Sequence, residues 1–129
     1  MWYKVKASEQ VLTPKGTTKN IIRALIVEDE TPTGAIYQAE KQFGASDYRI
    51  IGVNEMPSIY EIIDKAGEAV YSAKMTITIA EGDKEKKKSY VILTGAQSMK
   101  DAIKKFDYLL AQGYDMVADT YKLTNYEIV

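Results

Sequence analysis

Tyr60-Glu61-Ile62-Ile63 returns 66 positions later as Tyr126-Glu127-Ile128-Val129. The same offset of 66 sets Tyr48 against Tyr114 and Ile50-Ile51 against Met116-Val117. Upstream the offset becomes 67, aligning Ala24-Leu25-Ile26 with Val91-Ile92-Leu93, Thr31 with Ser98, and Ala35-Ile36 with Ala102-Ile103. At the start it is 68, aligning Tyr3 with Tyr71 and Lys6 with Lys74. Two single-residue length changes between elements account for the drift. Ordered self-similarity at one period is the mark of a chain built from two copies of a structural unit. The boundary implied is 1–66 and 67–129, with Asp64-Lys65-Ala66-Gly67-Glu68 as the joint.

Each half carries the same succession of patterns. Tyr3, Val5 and Ala7 alternate with Trp2, Lys4 and Lys6, as Met75, Ile77 and Ile79 alternate with Lys74, Thr76 and Thr78. Period 2 of this kind predicts a half-buried strand. Turns follow at Thr13-Pro14-Lys15-Gly16 and Glu81-Gly82-Asp83-Lys84, where glycine supplies a positive φ. The next strands, Ile21 to Val27 and Tyr90 to Leu93, are more apolar and belong nearer the middle of a sheet. Thr31 before Pro32 predicts a helix start, with Ala35, Ile36, Ala39 and Phe43 as its stripe and Gly44 as its stop. Ser98 caps the second helix, with Asp101 resembling the acidic member of a capping box. Its stripe is Ala102, Ile103, Phe106, Leu109 and Leu110, with Gly113 after it. Third strands are expected at Tyr48 to Val53 and Asp115 to Tyr121. The tails at Tyr60 and Tyr126 read as further strands or docking segments.

The fold class is therefore α+β, two tandem ββαβ units with tail strands, related by a pseudo-two-fold and forming one compact domain. A right-handed crossover gives each unit the strand order 2-1-3. A lone unit of about 65 residues is marginal by size, and two units can bury their apolar faces together. One continuous six-stranded sheet and two face-packed sheets both satisfy the pattern.

Composition excludes several function classes. The 129 residues hold no cysteine and no histidine, which removes disulfides, thiolate catalysis, Cys/His zinc sites and any imidazole base. Lys plus Arg is 17 and Asp plus Glu is 18, a net charge of −1. This balance opposes a general electrostatic grip on nucleic acid and leaves room for a local basic patch. No apolar run reaches the length of a membrane span. The start, MWYKVKASEQ, has no secretory h-region, so a cytoplasmic location is expected. No phosphate-binding glycine loop or nucleophile elbow is present, so no catalytic residue, cofactor or enzyme activity is expected.

Three constellations remain. Glu28-Asp29-Glu30 precedes a helix and offers oxygen ligands to a divalent cation; favourable charge near a helix dipole accounts for it as well, and no metal site is assigned. Lys84, Lys86, Lys87 and Lys88 sit on the second hairpin, and Lys15 and Lys19 on the first. Such hairpins suit a phosphate backbone, while lysines also keep exposed edges unpaired. Trp2 and Tyr90 are strand aromatics suited to stacking bases; tyrosine is equally a strand former. Tyr60 and Tyr126, from the repeated motif, are candidate interface anchors.

Trp2-Tyr3-Lys4-Val5-Lys6, then Gly16 and Lys19, the strand Leu25-Ile26-Val27-Glu28, Thr31 and the helix near Ala35 resemble a small family of domains of unknown function. Tyr71, Lys74, the lysine-rich hairpin and the Ala102 helix resemble its second half. The family occurs in gut-type anaerobic bacteria, their mobile elements and their phages. It brings no catalytic residues. Its members typically end on an Asp-Val-Phe-like tail, where this chain reads Tyr126-Glu127-Ile128-Val129. The resemblance implies a partner that is nucleic acid, a host or phage protein, or a signalling molecule.

Three functions fit. The first is a phage or mobile-element single-stranded nucleic-acid-binding or replication accessory protein. The second is a protein-interaction or homo-oligomeric assembly module using a strand edge or the Tyr126 tail. The third is a sink for a small nucleotide signal, held between repeats.

Overall fold

The computed structural model describes residues 1–112 and 116–129, with side chains described outside 113–119. In chain order the elements are β1 (Trp2–Leu12), β2 (Thr18–Glu28), α1 (Pro32–Glu40), β3 (Tyr48–Glu55) and β4 (Ile59–Ile62). The pattern then repeats as β5 (Ala69–Glu81), β6 (Lys84–Ala96), α2 (Met99–Leu110), β7 (Met116–Leu123) and β8 (Tyr126–Ile128). The α+β class and the one-helix-per-half pattern hold. There are two four-stranded sheets, ordered β3-β1-β2-β8 and β4-β6-β5-β7. The 2-1-3 order holds in each, because β1 pairs antiparallel with both β2 and β3, and β5 with both β6 and β7.

Both tails are strands, and both are exchanged. β8 pairs parallel with β2, and β4 pairs parallel with β6. Each tail thus completes the sheet of the other sequence half. The compact units are Met1–Pro57 with Asn125–Val129, and Ser58–Thr124.

In the first unit Tyr3, Val5, Ala7, Leu25 and Val27 turn one sheet face onto Ala35 and Ala39 of α1. Thr31 caps α1 through its side chain, which accepts from the Gly34 backbone N–H, with Pro32 next in line. The helix stops at Glu40, one turn sooner than its stripe predicts. Phe43 is still buried, from the turn that Gly44 closes at φ +57°. Ala24 and Ile26, on the opposite face of β2, are buried too, which is why this strand is apolar on both sides.

In the second unit Tyr71, Ala73, Met75 and Ile92 pack against Ala102, Phe106 and Leu109 of α2. Ser98 accepts from the Asp101 backbone N–H. The Asp101 carboxylate reaches back to the Gln97 N–H at 3.1 Å. A capping box would instead place it on the Ser98 N–H. Gly113, expected to stop this helix, lies outside the described residues, as do Tyr114 and Asp115.

The ladders test the repeat residue by residue. Tyr3 faces Val27, and Tyr71 faces Thr94, which keeps the offsets of 68 and 67. The two helix caps, Thr31 and Ser98, keep 67. Leu25 faces Glu127, and Ile92 faces Glu61, which keeps 66 for the tails. The third strands differ from expectation. Tyr3 faces Glu55 and Tyr71 faces Leu123, so their offset is 68 and Tyr48 corresponds to Met116. The same shift of register follows Lys6 and Lys74. A slip of two residues preserves which side chains face the core, so alternation in the sequence cannot detect it.

Candidate functional site

The β5–β6 hairpin is longer than the strands that flank it. Among the described residues, β7 pairs with β5 from Tyr71 to Ile77, and β4 pairs with β6 from Val91 to Leu93. The β5–β6 ladder itself continues down to Glu81 opposite Lys84. The turn is two residues, with Gly82 at φ +60° in the first position, the glycine placement of a type II′ turn. Lys84, Lys86, Lys87 and Lys88 are all exposed on this ribbon. Strand alternation puts Lys84, Lys86, Lys88 and Tyr90 on one face and Lys87 on the other.

Ile79 lies opposite Lys86 and Ile77 opposite Lys88, both isoleucines half-buried. The lysine stems can cover such apolar surface while their ammonium groups stay in water. Lys86 meets Glu81 at 2.9 Å with the two side chains 61% and 59% exposed. A pair so exposed holds its cation only weakly. Tyr60 of β4 stands edge-on to Tyr90, ring centres 5.7 Å apart.

The second unit therefore gathers Lys84, Lys86, Lys88, Tyr90 and Tyr60, with Lys87 on the reverse face. The first unit scatters its candidates. Lys15 and Lys19 are exposed at the far end of the β1–β2 hairpin, where Lys19 faces Val11. Trp2 is half-buried at the other end, opposite Glu28. The strand from Trp2 to Val11 runs about 30 Å. Tyr126 lies on β8, with the Lys4 ammonium 5.9 Å from its ring centre. The acidic run is used locally: the Asp29 carboxylate accepts from the Thr31 N–H at 3.0 Å and the Gln38 amide at 2.6 Å. Those bonds, the Thr31 one foremost, hold its pKa below the ordinary value. Among the described residues no group of three or more acidic side chains is placed to hold a metal ion.

Two further features escaped sequence reasoning. Arg23 donates to both carboxylate oxygens of Glu127 at 2.7 Å, and to Glu9 at 2.9 Å. Its guanidinium also lies 4.9 Å from the centre of the Phe43 ring. The bond to Glu127, more than any other influence, raises the arginine pKa, against the opposing effect of burial. A charge inside the apolar run Ile21 to Val27 was the available signal. The second feature is a shallow cleft of about 370 Å³ lined by Ser8, Gln10, Asn20, Asp47, Tyr48 and Arg49. It has no local signature, because three strands and a loop each contribute one or two residues.

The structure thus defines a class: an α+β protein of two ββαβ units with exchanged tail strands and a lysine-bearing ribbon. Residues 1–127 match the model of the domain of unknown function DUF4494, and the chain belongs to that family. No curated protein and no solved structure matches it. Among the described residues no helix is long and apolar enough to cross a membrane.

Proposed function

We propose that this is a non-enzymatic binding protein for single-stranded nucleic acid, acting as a replication accessory to a phage or mobile element. The observation that carries the reading is the ribbon at Lys84–Tyr90. Its ladder runs past the described pairing of its flanking strands and carries four exposed lysines, with an aromatic ring on the face shared by three of them. Lysines at strand spacing suit successive phosphates, and Tyr90 with Tyr60 offers rings on which bases stack. A net charge of −1 gives no general attraction to nucleic acid, so this grip relies on a local basic patch.

The test is binding of a labelled single-stranded oligonucleotide across a salt series. Three phosphate contacts, from Lys84, Lys86 and Lys88, give a log–log slope of about −2. Changing Lys86, Lys87 and Lys88 to Glu abolishes binding; exposed substitutions each shift stability by about 0.5 kcal/mol or less, and a melting curve checks that the variant is folded. No shift of the oligonucleotide at low salt ends this reading.

The polar cleft favours a second reading, capture of a small nucleotide. Gln10 and Asn20 offer carboxamides to a base edge, and Arg49 offers a fork to a phosphate. A ligand held there raises apparent stability, so a thermal-shift panel of nucleotides, repeated with Arg49→Ala, separates it from the first.

A further inference from the structure

We propose that the β2 edge accepts the Tyr126–Val129 segment of a second copy of this chain, so that two copies form a dimer by reciprocal exchange of β8. The acceptor and its peptide form a repeated recognition unit. Tyr-Glu-Ile docks twice, each time parallel to an equivalent strand, with Glu127 opposite Leu25 and Glu61 opposite Ile92. The residue after each motif closes the ladder alike. Val129 donates to the Ile26 carbonyl at 3.0 Å, and Ile63 donates to the Leu93 carbonyl at 2.9 Å.

In both cases the peptide comes from the other sequence half, so the edge already takes its strand from a distant part of the chain. The contacts that hold β8 include three ladder pairs, that backbone bond, the paired hydrogen bonds from Arg23 to Glu127, the Lys4 ammonium over the Tyr126 ring and the packing of Val129 against the first core. Every one of these can be made identically by another copy's segment. Only Thr124 and Asn125 separate β7 from β8, and the two compact units divide between them. Exchange of an identical element is a low-cost route to dimers, and short hinges are where it arises.

Charge reversal tests the exchange with whole chains. In R23E an introduced carboxylate confronts that of Glu127. In E127R an introduced guanidinium confronts that of Arg23. Neither variant can therefore close its own clamp. Mixed in equal amounts, each supplies what the other lacks. Glu127 from the R23E chain meets Arg23 of the E127R chain at one edge, and the introduced acid and base meet at the other. The expected result is a one-to-one species at twice the 14.5 kDa chain mass, absent from either variant alone and suppressed in the double variant R23E/E127R. Two folded variants whose mixture keeps the single-chain mass overturn the proposal. If either variant fails to fold alone, sedimentation of the parent chain decides. A concentration-dependent doubling of mass that disappears on removal of residues 125–129 supports exchange, and a single-chain mass at every concentration overturns it.

Discussion

Arg23 grips Glu127 by two hydrogen bonds of 2.7 Å across 104 positions of sequence. The same guanidinium reaches Glu9 at 2.9 Å, and the Ser46 hydroxyl donates to that carboxylate at 3.2 Å. One planar side chain thus ties β1, β2 and β8 together. The arginine side chain is 19% exposed and that of Glu9 12%, whereas Glu127 is 45% exposed. Removing the arginine therefore leaves a largely desolvated carboxylate without its cation. Arg23→Ala should lower unfolding free energy by about 1–3 kcal/mol. Glu127→Ala should cost less, about 1 kcal/mol, because water reaches its site. Arg23→Lys should not restore the parent value, since an ammonium cannot make the paired contact. Urea midpoints at unchanged slope measure all three.

Acid should weaken the fold through two depressed carboxyl groups. Asp64 accepts from the Ala66 N–H at 2.9 Å and from the Lys105 ammonium at 3.1 Å, and these bonds, that of Ala66 first, hold its pKa down. Asp29 is held down by the Thr31 N–H and by Gln38. A carboxyl with a lower pKa in the folded chain stabilises that state above the ordinary Asp value of about 3.9, and the contribution is lost as pH falls through the folded value. With no histidine to titrate, the urea midpoint should stay nearly flat from about pH 5 to 8 and fall below about pH 4. Asp64→Asn should make that fall shallower. An equally steep fall would assign it to other carboxyls.

The joint between the halves should tolerate no added side chain. A Cβ at Gly95 would run into the Ala66 carbonyl oxygen. Gly95 also donates to the Asp64 carbonyl at 2.7 Å, and its own carbonyl accepts from Lys105 at 2.9 Å. Gly95→Ala should cost about 1–3 kcal/mol by overpacking. Phe106→Ala, at the fully buried centre of the second unit, should cost about 3–5 kcal/mol. Calorimetric melts of each variant check both values.

The helix caps should be worth similar amounts in the two halves. Thr31 and Ser98 each accept from a backbone N–H three residues on, at 3.0 and 3.1 Å. Thr31→Ala and Ser98→Ala should each cost about 1 kcal/mol, and glycine at either site only a few tenths. An alanine cost near zero would show that the hydroxyl is not what holds the helix start.

Much of this was legible along the chain because it rests on local physics. Tyr3, Val5 and Ala7 announce a buried face by alternation, Gly16 and Gly82 mark turns that need a positive φ, and Thr31-Pro32 and Ser98 mark helix starts. The lysines could be placed on a hairpin from the same patterns. The extent to which β4 and β7 pair along that hairpin could not, since it depends on contacts between strands far apart in sequence. The partners of Arg23 were equally hidden, because Glu9 and Glu127 come from strands far apart in sequence.

The sequence alone settled the α+β class, the two-fold repetition of elements and the 2-1-3 order, since periodicity, turn chemistry and crossover handedness all act over short spans of chain. Tertiary structure decided which sheet each Tyr-Glu-Ile segment completes and the true offset of the third strands. A three- or four-residue parallel strand has no local preference among equivalent edges, and a slip of two leaves every side chain on the same face. Those choices are made only when whole sheets are assembled and their edge hydrogen bonds find partners.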